Sequence, residues 1–254
     1  MLPISRWRLT NVWNLGHNLI YLTQRSFAMD TPSIDIQNIR AKYRNDQEPY
    51  LLEEKLQTTD PLSLFDIWFR DVASQSDLSF EEINAVSLST VGKDLRPSSR
   101  MVLLKAYTST GFSFYTNFNS RKGKELEENP NACMLFYWPK VNRQVRVEGV
   151  VEKLPDEMAV AYWNSRPLAS RIGSKSSEQS QVIPDRQFLE DKKAELTETA
   201  AREGAQSITK PESWGGFHLI PRYIEFWQGQ SDRLHDRIVF ERDTDIWLLK
   251  RLSP

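Results

Sequence analysis

Apolar residues recur along the chain with two different periods, and the changes between them divide it into elements. At Asp60-Pro61 an N-cap residue and an N1 proline precede Leu62, Phe65, Trp68, Phe69 and Val72, whose spacing predicts a helix to about Ser74. From Ala85 the period falls to two. Ala85 to Thr90, Ser99 to Tyr107 and Phe112 to Phe118 read as strands rich in β-branched and aromatic residues, with Thr110-Gly111 as the tight turn between the last two. A short helix, Ser120 to Glu128, stops before Pro130, because proline disfavours helical geometry in the residue before it. Two more strands follow at Ala132 to Trp138 and Gln144 to Lys153, joined as a hairpin through Pro139 to Asn142.

Pro155 then opens a helix through Trp163 that the Arg166-Pro167 break closes, and Ser174 to Ser180 reads as a polar, serine-rich loop. A longer helix spans about Pro184 to Arg202, with Phe188, Leu189 and Leu196 on its buried side. Alternation returns in the tail, at Gly216 to Leu219, Tyr223 to Gln228, Arg237 to Arg242 and Ile246 to Leu252, the last two joined by Asp243-Thr244-Asp245. The first forty-odd residues show no sustained period and carry Pro32, Asp35 and Asn38 as punctuation. Residues 1–48 therefore read as a mobile leader and N-terminal segment ahead of one domain over 49–254. About eight short strands, few helices, no strict βαβ alternation and no Gly-rich nucleotide loop predict a mainly β (α+β) fold: an antiparallel barrel with peripheral helices, not a Rossmann sheet.

Composition narrows the chemistry. A chain of 254 residues can bury a core without disulfides. Lys plus Arg (33) nearly balances Asp plus Glu (34), so no overall field draws nucleic acid or an anionic membrane, and a bound anion must meet a local cluster. Cys133, the single cysteine, leaves no internal disulfide and no thiolate metal cage; it is read as a core residue, and a reducing compartment follows. His17, His218 and His235 are scattered, so no metal site is expected and redox chemistry would need an organic cofactor. No run of about 18 apolar residues is present. Arg6, Arg8 and Arg25, with no acid before Asp30, fit a mitochondrial transit peptide; a disordered leader on a cytoplasmic protein is the preferred reading.

Several charges sit against local preference. Ser120-Arg121-Lys122-Gly123-Lys124 puts three cations at the positive end of a helix dipole, where acids are normally favoured. A phosphate cradled by helix N–H groups and basic side chains would resolve the conflict; a solvated basic turn is the plain alternative. Arg233-Leu234-His235-Asp236-Arg237 places three potential cations on one face of an extended segment. Either Asp232, Asp236 or Glu241 neutralises them, or an anion lies among them, and the neighbouring Glu225-Phe226-Trp227-Gln228-Gly229 suits a flat heterocycle bearing phosphate. Arg100 and Lys105 bound the core-like Met101-Val102-Leu103-Leu104, and a spacing of five sends them to opposite faces unless a bulge intervenes. Tyr162, Arg166 and Ser170 surround a helix break, and Gln179-Ser180 lies in the serine-rich loop; each also fits ordinary core or loop.

In order along the chain, Arg100-Met-Val-Leu-Leu-Lys105, Phe114-Tyr-Thr-Asn117, Ser120-Arg-Lys122, Arg143-Gln-Val145, Tyr162 with Ser165-Arg-Pro167, Gln179-Ser180, Trp214-Gly-Gly-Phe217, Glu225-Phe-Trp-Gln-Gly229 and Arg233-Leu-His-Asp-Arg237 resemble the pyridoxine (pyridoxamine) 5′-phosphate oxidase family, over roughly Ile39 to Pro254. The resemblance implies an FMN-binding split β-barrel with peripheral helices, a homodimer with FMN at its interface. It implies that Arg100, Met101, Val102, Leu103, Tyr115, Thr116, Arg121 and Lys122 hold FMN, joined by Gln144, Gln179, Ser180, Trp227 and Arg237. Lys105, Tyr162, Arg166 and Ser170 would grip the substrate phosphate, Arg233 and His235 would flank the reacting ring, and Arg40 and Tyr43 would belong to a segment folding over the site.

The implied reaction oxidises pyridoxine 5′-phosphate and pyridoxamine 5′-phosphate to pyridoxal 5′-phosphate by hydride transfer to the flavin, with O₂ reduced to H₂O₂. Ser174-Lys175-Ser176 is more polar than the family pattern before Gln179, and the leader has no counterpart in it. Two alternatives keep parts of the picture: a split-barrel flavin reductase using a nicotinamide donor, and a non-catalytic carrier of pyridoxal 5′-phosphate.

Overall fold

The structure, a computed structural model, describes residues 50–75 and 82–254. Helix α1 (Pro61–Gln75) starts where Asp60 Oδ2 accepts the Ser63 N–H at 2.7 Å. Its stripe is buried as the spacing predicts. Phe65 is fully buried, edge-on to Phe112 at 4.8 Å and to Tyr107 at 5.1 Å, and tilted on Phe136 at 5.0 Å. Burying a side chain of this size contributes about 1.5–3 kcal/mol.

Strands β1 (Ala85–Val91), β2 (Pro97–Leu103), β3 (Ala106–Thr108), β4 (Gly111–Asn117), β5 (Asn131–Trp138), β6 (Arg143–Lys153), β7 (Trp214–Gln228), β8 (Asp236–Asp243) and β9 (Ile246–Arg251) form one antiparallel sheet. Its order is β2-β1-β5-β6-β7-β4-β3, with β8 on β7 and β9 on β8. β7 organises it: β6 covers one edge throughout, while the other edge pairs β4 over 214–219 and β8 over 223–228. The sheet curls into a split half-barrel, and α1 packs into its apolar face. Helices α3 (Asp156–Ser165), α4 (Leu168–Lys175) and α5 (Gln187–Glu203) form a second, smaller core around Trp163, Ile172, Ala200, Ile208 and Trp214; α2 (Arg121–Glu128) links β4 to β5. The mainly β fold with outer helices holds.

Five local expectations are corrected. The strand expected over 99–107 breaks at Leu104-Lys105, where the two N–H groups turn to different neighbours, Asn84 O and Ser113 O. Gly216–Leu219 and Tyr223–Gln228 are one strand, because Pro221 lies opposite the bulge at Glu148/Gly149, where its missing N–H costs no ladder bond. The serine-rich loop begins later, since Leu168–Lys175 is helical with only Ile172 buried. On α5, Phe188 is exposed and Lys192 covers its ring, while Leu196 and Ala200 face the core. Met101 and Cys133 are not core: β2 is a sheet edge that leaves Met101 62% exposed, and alternation on β5 puts half-buried Cys133 on the outer face.

Among the described residues no helix is long and apolar enough to cross a membrane, and no group of His, Cys, Asp and Glu side chains could hold a metal ion. The leader, Arg40 and Tyr43 lie outside the described residues.

Candidate functional site

A cavity of about 530 Å³ opens where β2, β4, α2, the α3–α4 corner and the start of β7 meet. Met101, Val102 and Leu103 reach it from β2, Lys105 from the strand break, Tyr115 and Thr116 from β4, and Lys122 from the first turn of α2. Tyr162, Arg166 and Ser170 come from the α3–α4 corner and Gln179 from the loop beyond. These eleven residues, scattered over 79 positions of sequence, were each predicted as ligand contacts, and one pocket collects them.

Lys122 carries the local electrostatics. Ser120 caps α2, its Oγ accepting the Gly123 N–H at 3.2 Å, and this turn carries the lysine inward. Lys122 is 7% exposed, and its Nζ donates to Gln179 Oε1 at 2.9 Å and Thr116 Oγ1 at 3.2 Å. Burial, helped by the charge of Arg100, lowers its pKa to about 8. Arg166, half-buried, donates from Nη2 to Ser174 Oγ at 2.9 Å and Ser170 O at 3.2 Å, and burial lowers its pKa too. Among the described residues neither cation is ion-paired with a carboxylate. Beside them Tyr115 stacks on Tyr162 at 4.2 Å and on Trp214 at 5.3 Å, so packed rings form one wall of the cavity.

Arg100 and Arg121 stand behind this cavity rather than in its lining. Arg100 Nη1 donates to Thr90 Oγ1 at 2.5 Å and Leu88 O at 3.2 Å, while Nη2 reaches Ser98 Oγ at 2.5 Å and Glu125 Oε2 at 3.3 Å. Arg121 Nε donates to Glu125 Oε1 at 2.7 Å. Burial pushes the Glu125 carboxyl up, but hydrogen bonds from Ser98, Thr90 and Arg121 outweigh it and hold the pKa at about 2. Arg100 and Lys105 diverge, one to Glu125 and one to the cavity, with Lys105 lying beyond the end of β2.

The other predicted residues gather elsewhere. Gln144, Trp227 and Arg237 align in one row across β6, β7 and β8, because Gln144 pairs with Trp227 and Trp227 with Arg237. Arg237 Nε donates to Glu225 Oε1 at 2.7 Å; burial raises the Glu225 pKa, yet Arg237 and Arg146 prevail and lower it. The His235 ring lies 5.1 Å from Trp227, and its Nδ1 accepts the Gln230 N–H at 3.0 Å, so the neutral ring carries its proton on Nε2. Arg233 holds a left-handed φ of 72°, as does Ser180 next to Gln179. Trp214 and Trp227 lie thirteen residues apart on β7, about 40 Å of strand at roughly 3.3 Å per residue.

Sequence reasoning assigned no role to Asn117, Gly173, Ser174, Ser177 or Trp214, all of which line the cavity, nor to the buried acids Glu125 and Glu225. The i, i+4 spacing of Arg121 and Glu125 was the only available signal for the first acid.

Known proteins match this chain along its length. A family profile described as pyridoxamine 5′-phosphate oxidase covers residues 75–200, and one described as the pyridoxine 5′-phosphate oxidase C-terminal dimerisation region covers residues 214–254. The chain is 84% identical over 226 residues to a putative pyridoxamine 5′-phosphate oxidase of Caenorhabditis elegans, spanning 89% of this chain and 100% of the relative. It is 48% identical to the pyridoxine-5′-phosphate oxidase of Bos taurus over 93% of this chain and 92% of the relative. Among solved structures, PhzG from Burkholderia lata in complex with tetrahydrophenazine-1-carboxylic acid superposes with a TM-score of 0.72 at 30% identity, covering 78% of this chain and 94% of that one.

Proposed function

Because the chain belongs to the pyridoxamine 5′-phosphate oxidase family, we propose that it oxidises pyridoxine 5′-phosphate and pyridoxamine 5′-phosphate to pyridoxal 5′-phosphate, using FMN and O₂ at sites shared by two copies. The observation that carries this reading is the pair of carboxylate-free cations, Lys122 and Arg166, facing one aromatic-walled cavity. A phosphate near each would stabilise the charge that burial now disfavours. The donor set fits FMN: Lys122, Thr116 and Gln179 would hold its phosphate, with Glu125 bracing Arg100 and Arg121 behind them, and Met101–Leu103 would edge its ring. Held there, FMN would supply a two-electron acceptor for the hydride of substrate C4′, one that O₂ can reoxidise.

The chain's own residues supply position. Arg166, Lys105, Tyr162 and Ser170 grip the substrate phosphate and so fix the position of the pyridine ring in the cavity. Gln144, Trp227 and Arg237, with Arg233 and His235, lie outside the cavity lining of their own chain and complete the site from the second copy, a reading that the match to a C-terminal dimerisation region supports. His235 offers an Nε2–H donor to the ring rather than a base, because Nδ1 is engaged by Gln230; the hydroxyl proton of pyridoxine 5′-phosphate leaves to water.

Purified protein is expected to be yellow and to consume O₂ on addition of pyridoxine 5′-phosphate. Colourless protein that FMN cannot reconstitute, yet that retains pyridoxal 5′-phosphate, would instead mark a carrier. Bleaching by NADPH with no response to the B6 phosphates would mark a flavin reductase.

A further inference from the structure

Trp214, Gly215 and Gly216 open β7 against the cavity wall, and their residue types answer to the rings packed on them. A Cβ on Gly215 would stand 2.4 Å from the Phe118 ring; one on Gly216 would stand 2.9 Å from the Tyr115 ring and 2.6 Å from Leu154 Cδ1. The absent side chains let Tyr115 settle flat on the strand, within 10° of parallel to the Trp214 indole. On another side Trp163 meets Trp214 edge-on at 4.9 Å, and Trp163 is itself fixed by its Nε1–H to Ile208 O at 2.9 Å. Trp214 is thus a buried, immobilised plate in the cavity lining.

Arg166 rests on this plate. Its Cζ lies 5.0 Å from the Trp214 ring centroid and 5.2 Å from that of Trp163. Nη1 is buried with no hydrogen-bond partner, and both bonds of the guanidinium run from Nη2, to Ser170 O and Ser174 Oγ on the neighbouring helix. The indole rings beneath Cζ therefore restrain the guanidinium where hydrogen bonds to Nη1 do not, through cation–π attraction, which is strongest for indole and grows when water is excluded. Two bonds from one nitrogen leave a planar group free to pivot; a ring face pressed against its plane removes that freedom.

We propose that Trp214 is a positioning residue for the substrate phosphate, acting through Arg166: its fixed indole face sets the guanidinium plane, and Gly216 makes that face rigid by seating Tyr115 behind it. This rests on the oxidase reading above and names a residue that reading leaves without a role. The affinity of the phosphorylated substrate depends on Trp214 only while Arg166 is present.

The test combines steady-state kinetics with pyridoxine 5′-phosphate and equilibrium dialysis of pyridoxal 5′-phosphate, on wild type, Trp214→Leu, Trp214→Phe, Arg166→Ala and the Trp214→Leu/Arg166→Ala pair. Trp214→Leu is expected to raise KM and the dialysis Kd about tenfold, with kcat and FMN content within about twofold; Trp214→Phe, with a weaker face, gives about threefold. In the Arg166→Ala background the leucine change adds nothing. Unchanged KM and Kd in Trp214→Leu, or in Trp214→Phe should leucine not fold, would overturn the proposal. So would multiplying effects in the double variant, or equal losses of FMN and substrate, which a merely structural tryptophan would give. Wild-type protein that turns over nothing sinks the oxidase reading and this inference together; normal wild-type turnover with an unaltered variant sinks this inference alone.

Discussion

The two ends of β7 treat their cations in opposite ways. At the Trp214 end, Lys122 and Arg166 face a cavity without an ion-paired carboxylate; at the Trp227 end, Arg237 and Arg146 both close on buried Glu225, at 2.7 Å and 2.6 Å. A cation denied a counter-ion is disfavoured by burial and gains most when an anion arrives. A cation already paired gains less, but its direction is fixed. On the proposed reading, the first end binds phosphate and the second holds a fixed row of side chains toward a site on the other copy.

Removing the unpaired cation is the hardest break. Arg166→Ala loses charge-assisted bonds worth about 1.5–3 kcal/mol each, so kcat/KM for pyridoxine 5′-phosphate should fall about 100-fold in steady-state assays while FMN content stays near wild type. The division of the site between copies gives the next effect. Arg166→Ala and Arg233→Ala, each nearly inactive, are unfolded, mixed and refolded together. Random pairing in a two-fold dimer puts one intact site in half of the dimers, so about a quarter of wild-type turnover should return. No recovery would place both residues in a site made by one chain.

The paired end should respond more mildly. Glu225→Gln removes the carboxylate that Arg237 and Arg146 share, and kcat/KM should drop about tenfold with roughly 1–3 kcal/mol of stability lost in denaturant titration. Smallest is the pH effect of Lys122. Its pKa, lowered to about 8, means that the charged form prevails below pH 8 and is lost above it. FMN affinity, followed by flavin fluorescence, should therefore weaken severalfold as pH rises from 8 to 9, and Lys122→Met should flatten that profile.

What the chain reveals of this plan follows the range of each interaction. The α1 stripe and the alternation in β1, β5 and β6 were legible because each element buries one face, so the period is written locally. The Leu104-Lys105 break and the fusion of two tail strands across Pro221 were not, because each depends on a partner strand. α4 was hidden by having one buried residue. In the site, misplaced charge marked Lys122, and the segment resemblance supplied most of the cavity lining. Glu125 shows locally only as the i, i+4 partner of Arg121; its bonds to Thr90, Ser98 and Arg100, the Glu225 brace, and the row formed by Gln144, Trp227 and Arg237 come from tertiary contact and strand register.

The central claim is that a phosphorylated pyridine and a flavin meet within this cavity and exchange a hydride. Anaerobic mixing of the yellow protein with pyridoxine 5′-phosphate, with the flavin absorption band followed in time, tests it most directly. The expected result is loss of the band in one exponential phase, with one pyridoxal 5′-phosphate formed per flavin and the colour restored by O₂. A band that stays unchanged at saturating pyridoxine 5′-phosphate would contradict it.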